Sequence, residues 1–547
     1  MRSRSRTLFG IAATLTLSAI AGASVPASSP QPAGASAFAA QSWQRDLSAR
    51  IVLSSPTIAD LNGDGSNEII VGDLEGWVHA YRGDGRGELP GWPQQAKVDG
   101  VHATAVESSP AVADLDHDGK LEVIVGATSV WAPNQQGGLI VFNADGSTRW
   151  RWRGTDYITI WGQTSFRHDG YSEGAVVAPA IGDIDGDHYP DIVFGTFEAK
   201  IHAFNRFGHE LKGFPYQADD TVWSSASLYD VNHDGRMEIF VGSPSTGGGP
   251  QPHMGGTMFG LSYAHGRVNT MWRNNIAESI DASPAITDLD GDGRMEVVTT
   301  TGWAFQNAHS RMIWAWHLDN GSPVRGWPVD TGSITPASVA IGDLDRDGNP
   351  EVVVGSWDGH VRAYHGNGRL MWNADAFAGS RNRARIEAAP VIADLNGDGI
   401  QDVVVPTDVS VVLMRGQDGR QMTPVPIGRQ YGYFSSPAVG FLNGEWSLVV
   451  TGFRGGYPQT ESDPAAVGRI TVYSFGSTPF TADWPMFRRN PERDGAAYNA
   501  AGRSPAWRCR STPTRRGRNS TGTGAGSLTH SKISTSKLCG GTKTRSV

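Results

Sequence analysis

A nine-residue phrase recurs seven times in this chain and limits its fold more than any other feature. The first copy is Asp60-Leu61-Asn62-Gly63-Asp64-Gly65-Ser66-Asn67-Glu68, and the others begin at Asp114, Asp183, Asp230, Asp288, Asp343 and Asp394. Oxygen-bearing side chains stand at positions 1, 3, 5 and 9. They are Asp60, Asn62, Asp64 and Glu68; Asp114, Asp116, Asp118 and Glu122; Asp183, Asp185, Asp187 and Asp191; Asp230, Asn232, Asp234 and Glu238; Asp288, Asp290, Asp292 and Glu296; Asp343, Asp345, Asp347 and Glu351; and Asp394, Asn396, Asp398 and Asp402. Six copies have Gly at position 6, and the third has His188.

Calcium is a hard cation that takes six to eight oxygens at about 2.3–2.6 Å. A tight loop of this spacing can turn alternate carboxylates inward while Gly takes the bend. The backbone carbonyl of position 7 adds a ligand, from Ser66, Lys120, Tyr189, Arg236, Arg294, Asn349 and Ile400. One such phrase is also an ordinary metal-free Asx turn; seven in one register predict a set of calcium loops. These are not EF-hands, which need a bidentate Glu at position 12. Position 12 is Val71, Val125, Phe194, Val241, Thr299, Val354 and Val405, and the closing carboxylate is at position 9.

The loops start 54, 69, 47, 58, 55 and 51 residues apart, and each stands in the same setting. A short strand such as Ser55–Ala59 precedes it. A β-branched strand ending in Gly follows, as in Glu351-Val-Val-Val-Gly355. A third strand alternates, as in Val78-His-Ala-Tyr81, and a last segment ends in Trp, often as Gly91-Trp92-Pro93 or Gly326-Trp327-Pro328. Four short strands at this period predict an all-β fold, a β-propeller with calcium loops between strands 1 and 2 of its blades. An eighth repeat from Ser436 to Tyr473 has lost the carboxylates in Gly440–Glu445. The expected count is eight blades, with seven as the alternative. Trp43 to Ile51 is expected to supply an outer strand that closes the ring, because an open ring leaves sheet edges exposed.

Over roughly residues 50–480 these phrases resemble the FG-GAP repeats, also called VCBS or integrin-alpha-like repeats. The resemblance implies a calcium-stabilised propeller and leaves the ligand open. Asn62, Asn232, Asn396 and His188 depart from its pattern. Trp484-Pro-Met-Phe-Arg-Arg-Asn-Pro491 looks like the terminal phrase of secreted bacterial members of the group.

Residues 1–23 read as a secretory signal, with Arg2, Arg4 and Arg6 before the apolar run Leu8–Ala21. Residues 24–42 read as an Ala/Ser/Pro-rich linker, 43–498 as the propeller and 499–547 as a basic, disordered tail. No other stretch is apolar enough to span a membrane. A secreted or cell-surface location is the expectation. The tail, 501–547, has ten basic residues and no acidic one. Residues 41–500 have 33 basic against 55 acidic residues, a net of −22, which argues against a nucleic-acid partner. Both cysteines, Cys509 and Cys539, lie in the tail, so the body has no thiol chemistry.

Strand order places the connections between strands 2 and 3, and between blades, on the face opposite the metal loops. That face holds nearly all the long insertions, and rigid scaffolds usually display function on such loops. Trp131, Tyr157, Trp161, His168, Tyr171, Trp303, Arg381 and Arg383 are the candidate ligand residues there. The expected partner is a carbohydrate or a cell-surface or extracellular protein, and the expected cofactor is structural calcium. No nucleophile elbow, zincin helix or phosphate loop is present, and no catalytic residue is assigned. A polysaccharide-cleaving, lyase-like enzyme is the alternative, and Asp156, Asp169, Glu173 and Glu387 are the insertion carboxylates available for a catalytic pair.

Overall fold

In the computed structural model, the residues described are 40–128, 135–154, 159–160, 163–164, 174–246, 253–302, 308–377, 385–423, 427–428, 432–454, 467–476 and 481–496. Among them there is no helix, and none long and apolar enough to cross a membrane.

Among the described residues eight antiparallel sheets follow one another as blades, and a two-stranded ribbon, Thr159–Ile160 with Gln163–Thr164, lies in sequence between the second and third. The first blade orders Thr57–Ala59, Glu68–Gly72, Trp77–Arg82 and Gln94–Gln95 from inside to outside. The next five repeat this plan, with inner strands at Ala111–Ala113, Ala180–Gly182, Ser227–Tyr229, Ala285–Thr287 and Ala340–Gly342. The seventh shows three strands, beginning with Val391–Ala393. The eighth is Ala438–Leu442, Glu445–Arg454 and Val467–Gly476, and its outer strand is Ala40–Leu47 from the other end of the chain. Successive inner strands touch in order, and the last touches the first, which makes the eight sheets a closed propeller. The expected closing strand is present. It begins at Ala40, three residues before the expected domain boundary, and ends at Leu47 rather than Ile51.

Alternation along each second strand explains the packing. Ile70 shares a core with Val112, Val123 and Val125 of blade two, while Ile69 and Val71 share one with Val449 and Val472 of blade eight. Both faces of a blade are buried between neighbours, so these strands read as continuous apolar runs. Each such side chain contributes about 1.5–3 kcal/mol on burial. The recurrent Trp ties a blade to the next one through its indole N–H. Trp92 donates to the carbonyl of Ala144 at 3.0 Å, Trp327 to Gly366 at 2.8 Å and Trp372 to Gly416 at 2.6 Å. Trp43, on the closing strand, donates to Gly83 at 3.0 Å and so joins blade eight to blade one.

The terminal phrase fills the axis. Inner strands of a ring expose one unpaired edge, and buried backbone groups need partners. Residues 481–496 supply them. The amides of Val112, Ile181, Leu228, Ile286 and Val439 donate to the carbonyls of Pro491, Glu492, Asp494, Gly495 and Pro485, at 2.6–3.0 Å. Ile392 and Trp484 exchange both bonds, and Asp483 accepts from the amide of Asp343. Blade one is met by Arg493, which bonds Thr57 Oγ1 and the carbonyls of Ser55 and Pro56. Every blade is thus bonded to one short segment. Arg488 and Arg493 are buried in it, and burial lowers both guanidinium pKa values to about 9.

Candidate metal centres

Each loop joins an inner strand to the next strand, and position 9 is the first residue of that second strand. Glu68 lies opposite Ala59, Glu296 opposite Thr287 and Glu351 opposite Gly342. The loop backbone organises its own carboxylates in the same way seven times. The amide of position 2 donates to the position-9 carboxylate at 2.8–3.2 Å. The amide of position 6 donates to position 1 at 2.8–3.1 Å. The amide of position 7 donates to position 5 at 2.7–2.9 Å.

The recurrent Gly marks a bend at position 6 alone. The structure has two left-handed residues per loop, at positions 4 and 6. Gly65 has φ 87° and His188, its counterpart in the third loop, φ 70°. Position 4 is Gly63 at φ 72° but His117, His233 and Arg346 at φ 60°, 59° and 65°. The mixed residues at position 4 hid this second bend.

The position-9 carboxylates are buried, at 0–2% exposure. Burial raises their pKa, the position-2 amide pulls the other way, and the remaining carboxylates of each loop add to the rise. Glu68, Glu238 and Asp402 reach about 7, and Asp191, Glu296 and Glu351 about 8. A divalent cation beside such a group removes the cost of its charge. Carboxylate oxygens of Asp183, Asp185 and Asp191, of Asp288, Asp290 and Glu296, and of Asp343, Asp345 and Asp347 each lie within 4.8 Å of one another. This all-oxygen donor set fits calcium. In the fifth and sixth loops a histidine also meets the closing carboxylate, His317 Nδ1 at 2.7 Å from Glu296 and His365 Nδ1 at 3.1 Å from Glu351. In blade eight the loop is reduced to a hairpin turned by Asn443 and Gly444, with φ of 47° and 84°.

The candidate ligand residues Trp131, Tyr157, Trp161, His168, Tyr171, Trp303, Arg381 and Arg383 all lie outside the described residues. Part of one insertion is regular structure: Ser243–Thr246 and Met254–Thr257 pair as a hairpin extension of blade four. The residues leading into the inner strands form a second candidate site on the same face. Leu53, Glu107, Val176, Trp223, Asp281, Pro336, Glu387 and Phe434, one from each blade, surround an axial funnel with a cavity of ≈ 160 Å³. Phe487 of the axial segment also lines it. No Lys, Arg or His lines it among the described residues. Burial raises the Asp281 carboxyl to about 6 and that of Glu387 to about 7. Ser279 Oγ donates to Asp281 Oδ2 at 2.6 Å. Of these residues only Glu387 stands out in the sequence, because nothing in one repeat shows which side chains eight repeats bring to the axis.

Over 190 residues the chain is 29% identical to the BBSome complex member BBS2 of Danio rerio, an overlap of 28% of this chain and only 24% of that one. BamB from Moraxella catarrhalis aligns with a TM-score of 0.46 and 13% identity, over 80% of this chain and 99% of BamB. The quinohemoprotein alcohol dehydrogenase ADHIIG from Pseudomonas putida HK5 aligns with a TM-score of 0.49 and 12% identity, over 81% and 77%. No ligand or activity transfers to this chain at such distances. Residues 60–125, 288–354 and 343–405 match the FG-GAP-like repeat family. Those matches fall on the loops and second strands of blades one, two, five, six and seven, and the chain is an FG-GAP-like repeat β-propeller.

Proposed function

We propose that the protein is an exported, calcium-loaded propeller whose role is binding, with a carbohydrate taken at the axial funnel and on the insertion face around it. The funnel is the observation that supports this reading. Carboxylates accept hydrogen bonds from neighbouring sugar hydroxyls, and aromatic faces cover the apolar side of a sugar ring. Glu107, Asp281 and Glu387 offer the first, and Trp223 and Phe434 the second, in one cavity. Calcium on the opposite face is structural in this reading: it ties strand 1 to strand 2 of each blade. Residues 1–23 direct export, which N-terminal sequencing of protein recovered outside the cell would test.

A polysaccharide-cleaving enzyme is the second reading. A general acid needs a pKa near the working pH, and the raised carboxyls of Asp281 and Glu387 favour it. A lyase that works with an Arg or Lys base finds neither in the funnel lining among the described residues.

The deciding experiment presents the full chain, in millimolar calcium, with a panel of soluble and insoluble polysaccharides. Retained protein and released oligosaccharide are both measured. Retention without release is expected, and Trp223→Ala or Glu387→Gln is expected to weaken it about tenfold, the equivalent of roughly 1.4 kcal/mol. Release would favour the second reading. Retention on no polysaccharide would sink both and leave a protein partner, in keeping with the matched relative's being a complex member.

A further inference from the structure

The second loop differs from the other six in what stands among its carboxylates. Arg149 comes from Thr148–Arg153, the outer strand of the same blade. Its Nη1 donates to Glu122 Oε1 at 3.0 Å, and its Nη2 donates to Asp116 Oδ2. These are positions 9 and 3 of the loop, and their oxygens group with one of Asp114 within 4.8 Å. A guanidinium is a planar, permanently charged fork that matches two carboxylates at once.

The loop backbone registers the difference independently. In the other six loops the amide of position 5 donates to the side-chain oxygen of position 3, at 2.8–3.3 Å. In the second loop the amide of Asp118 donates to Asp114 at 3.1 Å, a bond that the first and fourth loops also make, while Asp116 Oδ2 accepts from the guanidinium. In the third and fourth loops Arg206 and Arg236 meet a position-5 carboxylate, and in the fifth and sixth an imidazole, His317 or His365, meets the closing carboxylate; Arg149 bridges positions 3 and 9. Arg206 meets Asp187, a position-5 residue, at 3.2 Å and lies over the Tyr189 ring, leaving Asp183, Asp185 and Asp191 grouped. A divalent ion in the second loop has to displace Arg149 from both carboxylates and then sit beside its charge.

We infer that Arg149 is the resident cation of the second loop, so that this loop takes no calcium at concentrations that fill its equivalents. The inference rests on the calcium reading of the other loops.

Calcium bound per chain, measured by atomic emission after equilibrium dialysis of the full chain, tests it. Arg149→Gln is expected to bind one equivalent more than the natural chain. Asp116→Asn is expected to leave the natural stoichiometry unchanged, whereas Asp345→Asn in the sixth loop lowers it. Arg149→Lys keeps a positive charge and serves as the folded control, checked by far-UV circular dichroism; it is expected to gain no calcium. Seven tightly bound ions in the natural chain would overturn the inference, and so would loss of one ion in Asp116→Asn. An absence of bound calcium from every variant would instead remove the calcium reading itself.

Discussion

The amide of Ser436, at the start of the last blade, donates to the hydroxyl of Ser55, at the start of the first, at 2.9 Å. The same bond joins Ser55 to Ser109, Ser225 to Ser283 and Ser283 to Ser338. Ser55, Ser109, Ser283 and Ser338 therefore each satisfy an amide of a neighbouring blade. Ser55→Ala leaves the Ser436 amide without this acceptor, which costs about 1–3 kcal/mol. The expected result is a lower urea midpoint with an unchanged slope. A midpoint equal to that of the natural chain would show that the bond adds nothing to closure.

Arg493 is a test of the axial segment. Its guanidinium donates to the carbonyl of Pro110 at 3.1 Å and to those of Ser55 and Pro56 at 3.3 Å, far from any solvent. Arg493→Ala removes these bonds and opens a cavity on the axis. The expected loss is on the order of 3 kcal/mol or more. Differential scanning calorimetry should show one transition at lower temperature; an unaltered transition would mean that the blades close without the segment.

Removal of calcium should destabilise the whole ring. A ligand present at a hundred times its Kd adds about 2.7 kcal/mol per site to the native state. Excess chelator is therefore expected to lower the melting temperature sharply, and magnesium, which accepts flexible loops poorly, to restore little of it. A melting curve indifferent to chelator would reduce the loops to metal-free Asx turns.

His79 supplies a pH dependence away from the loops. It is buried between Asp73, at 3.3 Å from Nε2, and Glu88, at 2.7 Å from Nδ1. Burial works against its charge, but the two carboxylates more than offset this and raise its pKa to about 9. The folded value lies above the unfolded one of about 6.5. The stabilisation is then complete below about pH 6.5 and is lost as pH rises through about 9, up to roughly 3 kcal/mol in all. His79→Gln should flatten the stability profile across that window, as followed by urea titration at successive pH values. A natural chain equally stable at pH 6 and pH 9.5 would contradict the charged pair.

Trp327 tests the inter-blade ties. Trp327→Phe keeps most of the ring and loses the bond to the Gly366 carbonyl, for about 1–2 kcal/mol. Trp327→Ala also empties its place between blades five and six, for about 3–5 kcal/mol. Equal effects of the two substitutions would assign the role to the hydrogen bond alone.

The repeat itself was legible in the sequence because its signals are local. Alternate carboxylates, a left-handed Gly and a β-branched run are read within about nine to fifteen residues, and they are set by backbone geometry and by burial on both faces of a strand. Glu68, Glu296 and Glu351 could be named as closing carboxylates for that reason, and the loss of the loop in blade eight was visible in Gly440–Glu445. What joins distant residues was not legible. Only the closed ring brings Ser436 to Ser55, 381 residues away in sequence. Only the ring's unpaired inner edges give Trp484 to Ala496 its place on the axis, where its polar and charged residues would otherwise read as a surface tail. The funnel residues Glu107, Trp223, Asp281 and Phe434 occupy one equivalent position in four different blades, and a site made of one residue from each repeat has no local pattern to find. Sequence thus determined the blade and its metal-type loop, through periodicity and turn chemistry. Tertiary structure decided what meets at the axis and which loop Arg149 enters, because those depend on how eight blades close around one line.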